Sequence, residues 1–239
     1  MAADALHSAL YPRRCPVCGG VPLQRRGGRV WLCDKCEGRL SRIKQPFCFK
    51  CGKQLEDEES EYCRDCTVKR HSFDRGVAAF NYTDSMKKSM YAFKYNNRRE
   101  YAGFYAETLF REYGRLAGSW QAEAIIPVPL HPSRLRARGY NQAEALAKEL
   151  GRRMGIRVDT ETLRRVKKTL PQKLLNDRER GNNIENAFQI GKNSVEYKCV
   201  IVVDDIYTTG ATMDGCALTL KAGGAERVYF MSVCAGKGF

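Results

Sequence analysis

The chain has 239 residues, 43% of them apolar and 28% charged. That is long enough for one packed domain of about 150 residues with a smaller one beside it, and too apolar for disorder. Forty-one Lys and Arg against 27 Asp and Glu give a formal charge of +14, which favours phosphate-bearing partners without choosing among nucleotide, sugar phosphate and nucleic acid. No stretch approaches the roughly 20 apolar residues that cross a bilayer. The opening MAADALHSAL has neither the basic start of a signal peptide nor a lipidation motif, so the expected place is the cytoplasm.

Residues 11–70 are rich in Cys, Gly, Arg and Lys, with only short apolar runs, and predict a small domain of their own. Eight of the eleven cysteines fall here as four C-x-x-C knuckles: Cys15/Cys18, Cys33/Cys36, Cys48/Cys51 and Cys63/Cys66. Such a knuckle sets two thiolates on one tight turn, and two knuckles complete a tetrahedron around zinc. The pairs are separated by 14 residues in the first quartet and 11 in the second. This repeat favours sequential sites, with a cross-braced arrangement left open, and the second pair of each quartet is expected to open a helix. Four thiolates leave no position for water, so both metals are read as structural. Two such sites would bring the charge to about +10. Arg25, Arg26, Arg29, Arg39, Arg42 and Lys44 surround the knuckles, yet no Arg-rich recognition helix is evident. Cys199, Cys216 and Cys234 stand singly in apolar sequence and read as buried small hydrophobes.

From residue 71 to 239 the texture changes to apolar segments of strand and helix length. Gly76–Tyr82 predicts a strand, and Ser85–Tyr95 and Arg99–Gly118 predict helices. Ala122–Leu130 predicts a short strand stopped by prolines, followed by Tyr140–Gly155 as an amphipathic helix closed by glycine. Arg134, Arg136 and Arg138 read as a basic loop, Asn141 as a helix cap, and His131, Trp31 and Trp120 as surface or packing residues. Residues 167–189 are polar and broken by Pro171 and Gly181, which predicts a long loop or flap. A strand at Cys199–Val203, a helix over 211–222 and a strand at Glu226–Cys234 complete an α/β domain with a mostly parallel sheet.

The most informative stretch is VIVVDDIYTTGAT, Val200–Thr212. Its apolar run predicts a central strand, which delivers Asp204 and Asp205 to the carboxyl end of the sheet, where open α/β folds bind ligands. Residues 207–212 are expected to turn into a helix. Carboxylates accept from vicinal hydroxyls and can hold Mg²⁺. The Thr hydroxyls, Gly210 and the free amides of a helix start make a phosphate cradle. Together they describe a site for a ribose 5-phosphate. Neither a P-loop nor a dinucleotide fingerprint is present.

This segment resembles the phosphoribosyl pyrophosphate (PRPP) motif of type I phosphoribosyltransferases. The chain as a whole is similar to the ComF/ComFC late-competence family, which joins an amino-terminal double zinc ribbon to such a domain. The likeness extends over Phe93–Arg99, Ile126–Leu150 and Lys168–Phe188, in the family's order. It implies a type I phosphoribosyltransferase fold. Asp204 and Asp205 would hold the ribose hydroxyls, help place Mg²⁺ and assist charge or proton balance. Thr208, Thr209, Gly210, Ala211 and Thr212 would wrap the 5-phosphate. Pro127 and Val128 would belong to the pyrophosphate loop, with Arg134, Arg138, Lys94 and Arg98 as cations for it. Asn141, Gln142, Gln172, Arg180 and Asn183 would lie in the flap or beside the site. Zinc, magnesium and PRPP are the implied cofactors and ligand. Single-stranded DNA and a helicase-like competence protein are the implied partners, with recruitment to the uptake machinery at the inner face of the membrane. The zinc module is expected to take the place of the hood that selects the acceptor. Three roles fit: a PRPP-binding, phosphoribosyltransferase-like protein of DNA uptake, a PRPP-regulated nucleic-acid adaptor, and a nucleobase salvage enzyme.

Overall fold

A computed structural model describes residues 12–23, 30–167, 187–191 and 195–236. At its centre lie five parallel strands: β1 (Arg75–Asn81), β2 (Ala124–Pro127), β3 (Arg157–Val158), β6 (Cys199–Tyr207) and β7 (Arg227–Ala235), in the order β1-β7-β6-β2-β3. Two further strands, β4 (Leu163–Arg165) and β5 (Phe188–Ile190), pair antiparallel as a separate ribbon. Val200–Val203 are all buried because the sheet is covered on both faces.

One face carries Ile125, Ile201, Val203, Met231 and Val233. The helices packed on it are α2 (Asp84–Tyr95), α3 (Tyr101–Ser119) and α5 (Gln142–Met154). The opposite face, with Ile126, Val200, Val202, Val228 and Phe230, meets α6 (Ala211–Ala222), the β4–β5 ribbon and part of the cysteine module. Cys199, Cys216 and Cys234 are buried, as read from the sequence.

The cysteine module covers the β1 edge of the sheet. Arg42 bridges Phe80 in antiparallel fashion, with Ile43 N–H donating to Ala79 O (3.0 Å) and Asn81 N–H to Ser41 O (2.8 Å). An edge strand that would otherwise offer unpaired amides is thereby closed. Gly52, at φ +73°, lies so near β1 that a Cβ there would sit 2.7 Å from the Val77 Cα. As expected, the second knuckle of each quartet opens a helix: a 3-10 turn at Asp34–Arg39 and α1 at Arg64–Val68.

Several boundaries differ from the sequence reading. β6 runs on through Tyr207, so the turn before α6 is confined to Thr208–Gly210. Pairing with β7 extends to Tyr207 and Ala235, which holds both aspartates in strand geometry. Residues read as a basic loop form helix α4 (Pro132–Arg138), started by proline at its first position and capped by His131, whose ring accepts from Ser133 N–H. The expected loop over 167–189 ends in β5, and residues 168–186 lie outside the described residues. No helix among the described residues is long and apolar enough to cross a membrane.

Candidate functional site

At the carboxyl ends of β2 and β6 opens a cleft of about 260 Å³. It brings together Lys94 from α2, Val128 after β2, Arg134 and Arg138 from α4, and Asn141 and Gln142 at the start of α5. Asp204, Asp205, Thr208 and Thr212 complete the set from β6 and its turn. Gly210 joins Asp204, Thr208 and Thr212 around an adjoining recess. Pro127, Thr209 and Ala211 are at the strand end and loop but line neither space. Arg98 pairs with Glu100 at 3.8 Å and is absent from the lining. Gln172, Arg180 and Asn183 lie outside the described residues.

The two aspartates have different surroundings. Asp205 is buried and pairs with Lys94 Nζ at 2.7 Å. Burial works against the Lys94 charge, yet the Asp205 carboxylate holds its pKa above the ordinary lysine value. Asp204 is half-buried and accepts from the Asp205 N–H at 2.8 Å. Burial, and then the neighbouring Asp205 charge, push its pKa up to about 7, with Lys94 opposing.

Cations crowd the rest of the cleft. Arg138 donates to Gln142 Oε1 (3.0 Å) and to Tyr95 Oη (3.1 Å), which fixes its fork at the rim. Asn141 caps α5 by accepting from Ala143 N–H (3.1 Å), while its amide donates to Val128 O (3.0 Å), so the cap also ties the helix to the end of β2. Arg165, at the end of β4, reaches the same cleft. Its pKa is lowered by burial and then by Arg134, and that of Arg134 by burial and then by Arg138. Nothing in the local sequence around Arg165 signals this role, because a three-residue strand places it there.

Behind the turn lies a supporting layer that sequence reasoning missed. His71, just past the last knuckle, is buried, and its Nδ1 is 2.8 Å from Asp214 Oδ2 in the first turn of α6. Asp214 Oδ1 accepts from Ser72 N–H at 2.8 Å. Gly210 has φ +82°, and a Cβ there would lie 2.7 Å from His71 Cε1 and 2.8 Å from Tyr207 Oη. Tyr207 stacks on Phe230 (4.7 Å, 15°), with Lys53 Nζ 5.6 Å from its ring centroid. Among the described residues, Thr209 Oγ1 is a buried polar atom without a hydrogen-bond partner. The polar turn is thus close-packed from behind at Gly210.

The cysteines form two sequential quartets, Cys15/Cys18/Cys33/Cys36 and Cys48/Cys51/Cys63/Cys66, each with its sulfurs within 4.8 Å of one another. Cys18–Cys33 and Cys51–Cys63 sulfurs are 3.7 and 3.6 Å apart. A zinc tetrahedron with bonds of about 2.3 Å has edges of about 3.8 Å, so both quartets fit structural zinc. Neither lies in the cleft, and none of the cleft-lining residues comes from the cysteine module among the described residues. The module packs on the sheet edge and behind the turn.

Known proteins are similar to this chain in sequence. A double zinc ribbon domain model matches residues 6–67. Competence protein F of Haemophilus influenzae is 32% identical over 221 residues, spanning 90% of this chain and 93% of that protein. The chain belongs to the ComF/ComFC late-competence family. Another ComF/ComFC relative, DNA utilization protein YhgH of Escherichia coli O6:H1, is 30% identical over 87% of this chain and 91% of its own length. Competence protein ComFC of Bacillus subtilis is 29% identical over 76% and 74%.

Proposed function

We propose that the cleft binds PRPP with Mg²⁺ in a phosphoribosyltransferase-like domain covering residues 71–239, and that this ComF/ComFC protein serves DNA uptake, as the names of its relatives suggest. The observation that carries the reading is a convergence. Asp204 and Asp205 face Lys94, Arg134, Arg138 and Arg165 across one cleft that ends on Thr208 of the turn and Thr212 at the start of α6. The carboxylates suit ribose hydroxyls, and the turn and helix start suit a 5-phosphate. The arginines suit pyrophosphate, whose charge would relieve their mutual repulsion. Thr209 Oγ1 is a further donor without a partner in the described residues.

The same arrangement supports phosphoribosyl transfer. The bond from C1 to the pyrophosphate oxygen breaks, the electron pair leaves with pyrophosphate, and a nitrogen nucleophile forms the new bond to C1. Magnesium, when bound with PRPP, would supply charge neutralisation. The chain's own residues orient the ribose and stabilise the leaving group, so no protein nucleophile is required. Lys94 pairs with the Asp205 Oδ2 atom, and the other carboxylate oxygen would accept from a ribose hydroxyl.

Thermal unfolding tests the reading. PRPP with Mg²⁺ is expected to raise the melting temperature, by the equivalent of about 2.7 kcal/mol at a hundred times Kd. Asp205→Ala is expected to abolish the shift. A wild-type melt indifferent to PRPP and Mg²⁺ sinks the proposal.

A further inference from the structure

Helix α2 buries Met86, Ser89, Met90 and Phe93 and turns Lys87, Lys88, Tyr91 and Tyr95 outward. A single exposed tyrosine asks for no explanation. Here two stand in contact, with ring centroids 4.9 Å apart at 45°, and they remain 60% and 56% exposed. The Arg138 guanidinium lies over the Tyr95 ring at 5.0 Å. Guanidinium, Tyr95 and Tyr91 thus follow one another from the cleft to the exposed Tyr91 ring.

A groove of about 370 Å³ runs beside the two rings. It shares Tyr82, Lys94 and Ile206 with the cleft, so the two spaces have a common wall. Lys87, Lys88 and Lys94 line it, and among the described residues no carboxylate does. Lys87 also pairs with Asp84 at 2.8 Å on the exposed helix surface.

We infer that this groove is a binding platform for single-stranded DNA, with an unpaired base stacked on the outer face of Tyr91 and the following phosphates against Lys87 and Lys88. The inference rests on the proposed function in naming DNA, and on the groove alone in naming an unpaired, base-stacking strand. Duplex bases are covered by their neighbours, whereas an unpaired base offers its face to an aromatic ring of any sequence context. Positive charge along the groove suits the backbone. Because groove and cleft share a wall, a strand held here lies beside the Lys94–Asp205 pair.

Fluorescence anisotropy with a labelled oligothymidylate and an abasic strand of equal length tests the platform in the full chain. The wild type is expected to prefer the base-bearing strand. Tyr91→Ala with Tyr95→Ala is expected to weaken that strand by about tenfold or more and to erase the preference. Tyr91→Trp should preserve it. Lys87→Gln with Lys88→Gln is expected to flatten the slope of log affinity against log salt by about 1.4. Unchanged melting temperatures show that these surface variants fold. Equal affinity of the wild type for the two strands, or normal binding by the double tyrosine variant, overturns the inference. So does a dimer that Tyr91→Ala disperses, without any strand binding. Failure of PRPP to shift the melt while the tyrosine-dependent preference persists sinks the cleft reading and leaves the platform standing.

Discussion

Asp204 and Asp205 are adjacent on one strand end and yet do different work. Asp205 pairs with Lys94, while burial and then the neighbouring Asp205 charge disfavour a negative charge on Asp204. The folded-state pKa of Asp204, about 7, lies above the value near 4 of an unfolded aspartate. The folded protein therefore binds this proton more tightly than the unfolded chain. The stabilisation is fully present below about pH 4, where both forms hold the proton, is lost as pH rises from about 4 to about 7, and is absent above that. Asp204→Asn removes the slope. In melts without ligand, the variant is expected to gain on the wild type as pH rises from 5 to 8. A difference in melting temperature that stays constant across this window refutes the assignment.

At the scale of elements, the β6–turn–α6 unit is packed from behind by His71 and Tyr207. His71 and Asp214 are 143 residues apart and meet at 2.8 Å, fastening the segment that follows the cysteine module to the first turn of α6. His71→Ala takes a partner from a partly buried carboxylate and opens space beside Gly210. It is expected to lower stability by about 1–3 kcal/mol. PRPP affinity should fall too, although His71 does not line the cleft. Parallel melts and PRPP titrations check this, and unaltered affinity in a folded variant rejects the brace. The contrast explains what the sequence could disclose. Strand, carboxylates and Thr/Gly turn are contiguous in Val200–Thr212, and the knuckles announce themselves by spacing, so both were legible. Arg165 and His71 acquire their places only through tertiary packing. Helix α4 was hidden because its seven residues have no apolar periodicity and depend on Pro132 and the His131 cap.

At the scale of the whole molecule, the two cysteine quartets brace different things. The first lies against α3: Tyr101 Oη donates to Cys15 O at 3.1 Å, and the Trp31 ring packs so closely on Gly103 that a Cβ there would lie 2.5 Å from it. The second shares a core with Phe73, Tyr207 and Phe230, directly behind the Thr208–Gly210 turn. Loss of metal at the two sites should therefore be felt differently. Cys66→Ser is expected to cut bound zinc from two ions per chain to one and to remove most of the PRPP-induced rise in melting temperature. Cys18→Ser is expected to lose the same amount of zinc and keep that rise. Elemental analysis establishes the stoichiometry, and hydrogen exchange over 207–214 reads the turn itself, which should lose protection only in Cys66→Ser. If both variants lose the PRPP response equally while the sheet remains folded, the second quartet has no privileged hold on the turn. If only Cys66→Ser loses it, the amino-terminal zinc module is part of the ligand site without touching the ligand.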